Sequence, residues 1–382
     1  MISRRNICFV TGTRAEFGLM RTTLRAIEAH PELKLQVIAT GMHLDPRLGS
    51  SIDDVRKQRR IDMTVPWPVG DGSATATAVA MGSAVSGIAR ALEKLETDIV
   101  LVVGDRVEAF AAAAAGHVSQ RIVAHVHGGD RAQGQVDDSL RHAITKLAHV
   151  HFPATAQSAQ RIRKLGEDRW RIHRAGAPGV DELRTAAATS VDLERNFPGL
   201  RTRRYALLVL HPVDADAALE RRRARDVLSA TLATGIERVV IVAPNNDPGA
   251  EGVLRAWNDA AKDDRVTVRA NVARDTFLGL MRDAAVLVGN SSSGIIEAAS
   301  FGTWVVDVGP RQLGRERSGN VTSVSYDEKA IRRAVARVWN NGRPKHWRGK
   351  NVYGGSGAGQ RIADILGRLE LTEALRKKLI TY

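Results

Sequence analysis

The chain contains one cysteine, Cys8, in 382 residues. A single thiol excludes an internal disulfide framework and any cysteine-built zinc site. Its place inside the apolar segment Asn6 to Thr11 marks it as a small buried side chain. Aromatic residues make up only 4% of the chain, which leaves few platforms for stacking nucleic-acid bases. No apolar run approaches the roughly 20 residues of a membrane span; Phe110 to Ala115 comes nearest. Behind Arg4 and Arg5 only Ile7 to Val10 is apolar, too little for a signal peptide. The expectation is a cytoplasmic protein with neither membrane nor nucleic acid as a partner.

What is present suits a globular enzyme. A hydrophobic content of 43% and a charged content of 26% at this length fit two α/β domains. The net charge of +14 comes from arginines scattered along the chain. Their densest cluster, Arg221 to Arg225, sits on an expected helix as a solvated face, and a basic cleft for a diphosphate accounts for part of the rest.

Short β-branched runs alternate with segments of helical periodicity, the pattern of a parallel α/β sheet. Asn6 to Thr11, Lys34 to Ala39, Asp98 to Val103, Ile122 to Val126, His149 to Phe152 and Trp170 to His173 read as strands. The Gly/Pro cluster Ala175 to Gly179 marks a boundary, after which strands are expected at Tyr205 to Leu210, Val239 to Ala243, Val266 to Ala270, Ala285 to Val288 and Val305 to Val308. Gln360 to Ile380 reads as a helix. The division expected is residues 1–175 and 180–359, with 360–382 completing the first domain. Two doubly wound halves bind ligands at the carboxyl ends of their strands, and the crevice between them is the natural site.

The loops at those ends carry the candidate residues. Thr11 to Gly18, T-G-T-R-A-E-F-G, offers a close backbone approach and a helix start to an anion, with Arg14 as a phosphate contact. Gly289 to Glu297, G-N-S-S-S-G-I-I-E, surrounds a phosphate with N–H and hydroxyl donors from Asn290, Ser291, Ser292 and Ser293; Glu297 can accept from ribose hydroxyls. The alternative there is a serine-rich helix cap. Asp105 in V-G-D-R-V-E, and Asp130 in H-V-H-G-G-D, with Asp137 beyond it, are acids suited to proton transfer alongside His125 and His127. Asp138 can equally cap the following helix, with Asp137 as its solvated neighbour, and Arg141 and Lys146 can simply pair with nearby acids. His211 ends a strand in L-H-P-V-D, and Arg311 and Arg315 in G-P-R-Q-L-G-R can meet phosphates.

Taken in order, these motifs, with T-G-M-H-L from Thr40 and D-D-S-L-R-H-A-I-T-K from Asp137, resemble the UDP-N-acetylglucosamine 2-epimerase family and its hydrolysing branch. The resemblance runs over nearly the whole chain. It implies a GT-B-type fold of two Rossmann-like domains, the second holding UDP, and a homodimer or homotetramer. No metal or redox cofactor is implied. The reaction implied removes the C2 proton, eliminates UDP and adds water with inversion at C2, converting UDP-N-acetylglucosamine to N-acetylmannosamine.

Asp105 and Asp137 match family carboxylates, Arg14 and His211 residues near the diphosphate, Ser291, Ser292 and Glu297 the phosphate and ribose site, and His43 a pocket histidine. Members place a glutamate at the third position of H-x-E-G-G, where this chain has His127. Three readings follow: His127 takes over proton transfer, Asp130 reaches in, or the sugar differs, as in a 2,4-diacetamido substrate. A non-hydrolysing epimerase, a GT-B glycosyltransferase and a non-catalytic nucleotide-sugar-binding protein are the competing classes.

Overall fold

Parallel strands need a long crossover between them, because a tight turn reverses direction; the segments of helical periodicity supply it. The computed structural model describes residues 4–45, 51–67, 74–131, 137–244, 249–270 and 272–381, apart from the side chains of Ala74 and Asp137. The chain divides into two units, Met1–Asp181 with Tyr353–Tyr382, and Glu182–Val352.

The first unit holds strands β1 (Arg5–Thr11), β2 (Leu33–Ala39), β3 (Met63–Thr64), β4 (Ile99–Val103), β5 (Ile122–Val126) and β6 (Val150–Phe152). They are parallel and run across the sheet as β3-β2-β1-β4-β5-β6. The register sets Ile7 between Leu35 and Ile99. Between and after them come the helices α1 (Arg14–Ala29), α2 (Ile52–Arg56), α3 (Ala74–Lys94), α4 (Val107–Val118), α5 (Asp137–Leu147) and α6 (Ala156–Lys164). Alternate residues of a strand face opposite sides, so one unit has two apolar layers. Ile7, Phe9 and Leu101 pack with Met20, Leu24 and Ile27 of α1. Cys8, Val100 and Val102 pack on the other face with Ala84, Ile88 and Leu92 of α3.

The second unit contains α7 (Leu183–Ala186), α8 (Ser190–Asn196), β7 (Tyr205–Val209), α9 (Ala217–Leu232), β8 (Arg238–Val242), α10 (Ala250–Ala260), β9 (Val266–Arg269) and α11 (Arg274–Asp283). It continues through β10 (Val286–Gly289), α12 (Ser292–Ile296), α13 (Ala298–Phe301), β11 (Trp304–Val308), β12 (Val321–Val324) and α14 (Glu328–Trp339). Its parallel order is β12-β11-β10-β7-β8-β9. Counted within each unit, both sheets therefore have the doubly wound order 3-2-1-4-5-6, whose direction of winding reverses between the first and fourth strands. Those pairs are β1/β4 and β7/β10. The loops that follow them flank a crevice in each sheet.

The chain then returns to the first unit with α15 (Ala358–Arg368) and α16 (Glu373–Arg376). Ile362 and Leu366 of α15 cover the α1 face. The continuous helix expected over Gln360 to Ile380 is thus broken after Arg368. Leu369 turns extended and Thr372 caps a new short helix by accepting from the Leu375 N–H at 3.2 Å, while the buried Arg171 guanidinium gathers the carbonyls of Ala374, Leu375 and Lys377 at 2.8–2.9 Å. The strand expected at Trp170 to His173 is a 3-10 turn, Arg169–Arg171, followed by a single bridge between His151 and Ile172. Arg221, Arg222 and Arg225 lie exposed on α9. Among the described residues no helix is long and apolar enough to cross a membrane.

Gly289 sits where the second sheet reverses its winding. It faces Val209 across the β7/β10 pairing at φ +135°, and a Cβ there would lie 2.0 Å from the Val209 carbonyl oxygen. Gly289→Ala is expected to lower the unfolding free energy by about 3 kcal/mol or more, read as a drop in the urea midpoint. An unchanged midpoint would show that the two strands part freely.

Candidate active site

At the carboxyl ends of β4 and β5 the first unit builds two turns against each other. Gly104, left-handed at φ +78°, offers its carbonyl to His125 Nε2 at 2.8 Å. Burial pushes the His125 ring down to about 3, against the Gly104 bond, so it stays neutral and serves the turn before Asp105. His127 adopts φ +63°, which a β-carbon disfavours by roughly 1–2 kcal/mol. Its N–H donates to the Phe152 carbonyl at 3.1 Å, and its own carbonyl accepts from Arg141 Nη1 at 3.0 Å. Arg161 Nη1 holds the Gly129 carbonyl at 2.9 Å. The strained turn is therefore clamped from both sides.

His127 Nδ1 lies 3.1 Å from Asp130 Oδ2. A carboxylate only accepts, so Nδ1 carries the proton. The other Asp130 oxygen accepts from Ser158 Oγ at 2.6 Å, and Thr155 Oγ1, which caps α6, donates to Ser158 Oγ at 2.9 Å. Burial opposes ionisation of Asp130, but the His127 hydrogen bond, the Arg141 charge and the Ser158 hydroxyl hold its carboxyl below the usual carboxylate range. Both its oxygens are engaged within the protein. His127 Nε2, by contrast, is buried without a hydrogen-bond partner among the described residues. An oriented imidazole with its second nitrogen unpaired is equipped to accept a proton. Arg141 also contacts Asp105 Oδ2, joining the two turns.

The start of α1 differs from expectation. Thr13 and Glu16 form a capping box, and Glu16 Oε2 accepts from the N–H groups of Gly12 and Thr13 at 2.9 and 3.1 Å. The two loop N–H groups before the helix are thus taken by a carboxylate one turn away. Glu108 packs against Gly12 and Gly41, each of whose Cβ positions would come 2.6 Å from it, and Arg106 holds it by two bonds of 3.2 and 3.3 Å. Burial first, then the Glu108 charge, push Glu16 up to about 7 against the Gly12 amide, Arg106 and the Thr13 amide. His43 is wholly buried, Nε2 at 3.0 Å from Thr11 Oγ1 and Nδ1 at 2.8 Å from Ser51 Oγ. Burial lowers its pKa. Arg14 is exposed and pairs with Asp54 at 3.0 Å.

In the second unit one amide organises the crevice. Asn290, fully buried after β10, donates to the His211 carbonyl at 2.8 Å and accepts from the His211 N–H at 2.7 Å. Its own carbonyl accepts from Arg311 Nη1 at 3.1 Å and Gln312 Nε2 at 2.8 Å. Ser291 caps α12 by accepting from the Ser293 N–H at 3.3 Å. Glu297 makes a two-point pair with Arg274 at 3.0 and 2.6 Å. The Arg315 guanidinium makes no hydrogen bond or ion pair among the described residues. In the same sense, no group of three or more His, Cys, Asp or Glu side chains is placed to hold a metal ion.

Comparison with known proteins adds a second line of argument. The profile of the UDP-N-acetylglucosamine 2-epimerase family matches residues 25–367. A Legionella pneumophila protein named UDP-N,N'-diacetylbacillosamine 2-epimerase (hydrolyzing) is 35% identical over 99% of this chain and 100% of its own. A UDP-N-acetylglucosamine 2-epimerase of Neisseria meningitidis is 33% identical over 89% of each chain. The crystal structure of a UDP-GlcNAc 2-epimerase from Neisseria meningitidis bound to UDP-GlcNAc has a TM-score of 0.80 at 19% identity, covering 94% of this chain and 99% of that one. The chain belongs to the UDP-N-acetylglucosamine 2-epimerase family.

For a nucleotide-sugar 2-epimerase the arrangement divides the expected residues clearly. Asp105, His127 and Asp130 are brought into one hydrogen-bonded group, and His211, Asn290 and Arg311 into another. Arg14 joins neither, and His43 is bonded into the packing of the first unit. Asp137 opens α5, and its side chain lies outside the described residues. Asp138 lies 3.2 Å from His142 within α5, while Lys146 pairs with Glu167 at 2.6 Å. Sequence reading passed over Ser158, Arg161, Arg274 and Gln312, whose partners are distant in the chain. It also passed over Glu16, although the T-x-x-E spacing of Thr13 to Glu16 is a capping-box pattern.

The raised Glu16 carboxyl predicts a pH effect. Between about pH 4.5 and 7 the folded chain keeps a proton that the unfolded chain has released. Stability contributed by this group therefore falls as pH rises through that window. Glu16→Gln removes the effect, so its melting temperature should gain on that of the unaltered protein between pH 5 and pH 7.5. A difference that stays constant with pH would rule the effect out.

Proposed function

We propose that the chain eliminates UDP from a UDP-2-acetamido sugar and releases the free sugar inverted at C2. The observation that carries this reading is the His127–Asp130 pair, with Nδ1 tied down, Nε2 unpartnered and Asp105 joined to the same turn. In the elimination, a base takes the C2 proton. The C–H electron pair becomes the C1–C2 double bond as the bond from C1 to the UDP oxygen breaks, and UDP leaves with that oxygen. Water then adds its hydroxyl at C1, and a proton arrives at C2 from the opposite face. His127 and Asp105, held in different surroundings, suit these two transfers. Asp130 orients His127 and does not reach the sugar, and Asp137 positions substrate.

The second unit holds the nucleotide in this reading. Ser291, Ser292 and Ser293 meet phosphate, Glu297, steadied by Arg274, meets ribose, Arg311 and Arg315 neutralise the diphosphate, and His211 lies near it. Arg14, exposed in the first unit, would meet a phosphate by leaving its ion pair with Asp54. The hydrolysing outcome is supported by the name of the Legionella relative, which aligns end to end with this chain. UDP-N-acetylglucosamine, giving N-acetylmannosamine, is the first substrate to test. The same relative favours a second reading, a 2,4-diacetamido-6-deoxy sugar.

Incubation of each UDP-sugar in D2O, followed by proton NMR, tests the proposal. Free UDP and the 2-epimeric sugar bearing one deuterium at C2 are expected. His127→Asn should lower kcat by about 1,000-fold and Asp130→Asn by less, since the ring survives there with looser orientation. Return of a UDP-sugar epimer without free UDP would identify a non-hydrolysing enzyme. Failure of both sugars to release UDP above a His127→Asn control would sink the assignment.

A further inference from the structure

We infer that Arg141 is the positioning residue that makes Asp105 and His127 a single acid–base unit; this rests on the function proposed above. Its side chain is only 6% exposed and comes from α5, whereas its two partners follow different strands. Nη2 binds Asp105 Oδ2 and Nη1 binds the His127 carbonyl at 3.0 Å. The planar guanidinium fixes the angle between these bonds and keeps its charge throughout the working pH range. It therefore sets the Asp105 carboxylate and the left-handed His127 backbone in one frame. Only one Asp105 oxygen is engaged; the other makes no hydrogen bond among the described residues.

The helix carrying Arg141 is itself anchored. Thr145 Oγ1 donates to the Arg141 carbonyl at 3.0 Å, and Lys378 Nζ gathers the carbonyls of Thr145, Lys146 and Ala148 at 2.6–3.0 Å. The end of α5 is thus pinned while its middle reaches toward the turns. A purely structural arginine would serve equally well with one carbonyl and one surface acid. This one spans the two groups that must act in sequence on the same carbon.

The experiment compares Arg141→Lys, Arg141→Ala, Asp105→Asn and Asp105→Asn/Arg141→Lys in the full-length enzyme, with melting curves for each. Lysine keeps the charge but cannot make both bonds at once. Arg141→Lys should therefore lower kcat by about 100-fold, the scale expected for roughly 1 Å of misplacement, with KM little changed. Added guanidinium should restore part of the rate of Arg141→Ala. In the Asp105→Asn background Arg141→Lys should cost much less than it does alone, because the partner is already lost. Unchanged kcat in Arg141→Lys, or full additivity of the two substitutions, would overturn the inference. If Arg141→Ala does not fold, the lysine variant and the cycle still decide. Unimpaired turnover by Asp105→Asn would instead strike at the proposed function itself.

Discussion

Parallel pairing is the constraint on which everything else rests. Because every strand of each sheet runs the same way, every carboxyl end lies on one edge. The reversal of winding then opens that edge between β1 and β4, and between β7 and β10. Thr11, Gly12 and Asp105 flank the first opening, while His211 and Asn290 flank the second. Residues far apart in the chain meet there because the sheet order leaves them no other neighbours. Gly289 shows how tight the arrangement is, since a single methyl group at its α-carbon would collide with the adjoining strand.

The two units fill these openings with different chemistry. The first crowds ionisable groups together: Glu16 beside Glu108, Asp105 beside Arg141, and Asp130 beside His127. Burial raises the cost of charge, so each group survives only through named partners, and a strained backbone at His127 is held by two arginines. The second unit relies on an uncharged amide to hold its loop ends and leaves Arg315 without an acidic partner among the described residues. Groups that exchange protons need finely balanced neighbours; groups that hold an anion need fixed donors and unspent positive charge.

Much of this was legible in the sequence. Strands such as Ile99–Val103 announce themselves because a strand buried on both faces is apolar throughout. Family membership followed from several motifs in fixed order. What escaped was tertiary. Nothing local joins Arg141 to Asp105 across 36 positions, or Arg274 to Glu297 across 23. The apolar pattern beyond Arg368 looks helical, yet the chain turns extended at Leu369, and Arg171 holds the carbonyls of the separate short helix that follows. Asn290 sits within a ligand-like motif, but its side chain is committed to the His211 backbone, as a buried amide must be committed to something. At the start of α1 the capping glutamate is local to the motif, but its claim on the Gly12 and Thr13 amides was not weighed.

The discontinuity of the first unit bears on how the polypeptide is made. Met20, Leu24 and Ile27 of α1 are synthesised early, whereas Ile362 and Leu366, which cover them, follow more than 300 residues later. By then the whole of the second unit, an unbroken stretch of chain, has already left the ribosome. Vectorial synthesis therefore lets the second unit close first, while the first waits with an apolar helix face bare. The unit that carries the strained His127 turn is the one whose apolar layer is completed by a segment made after the whole of the other unit.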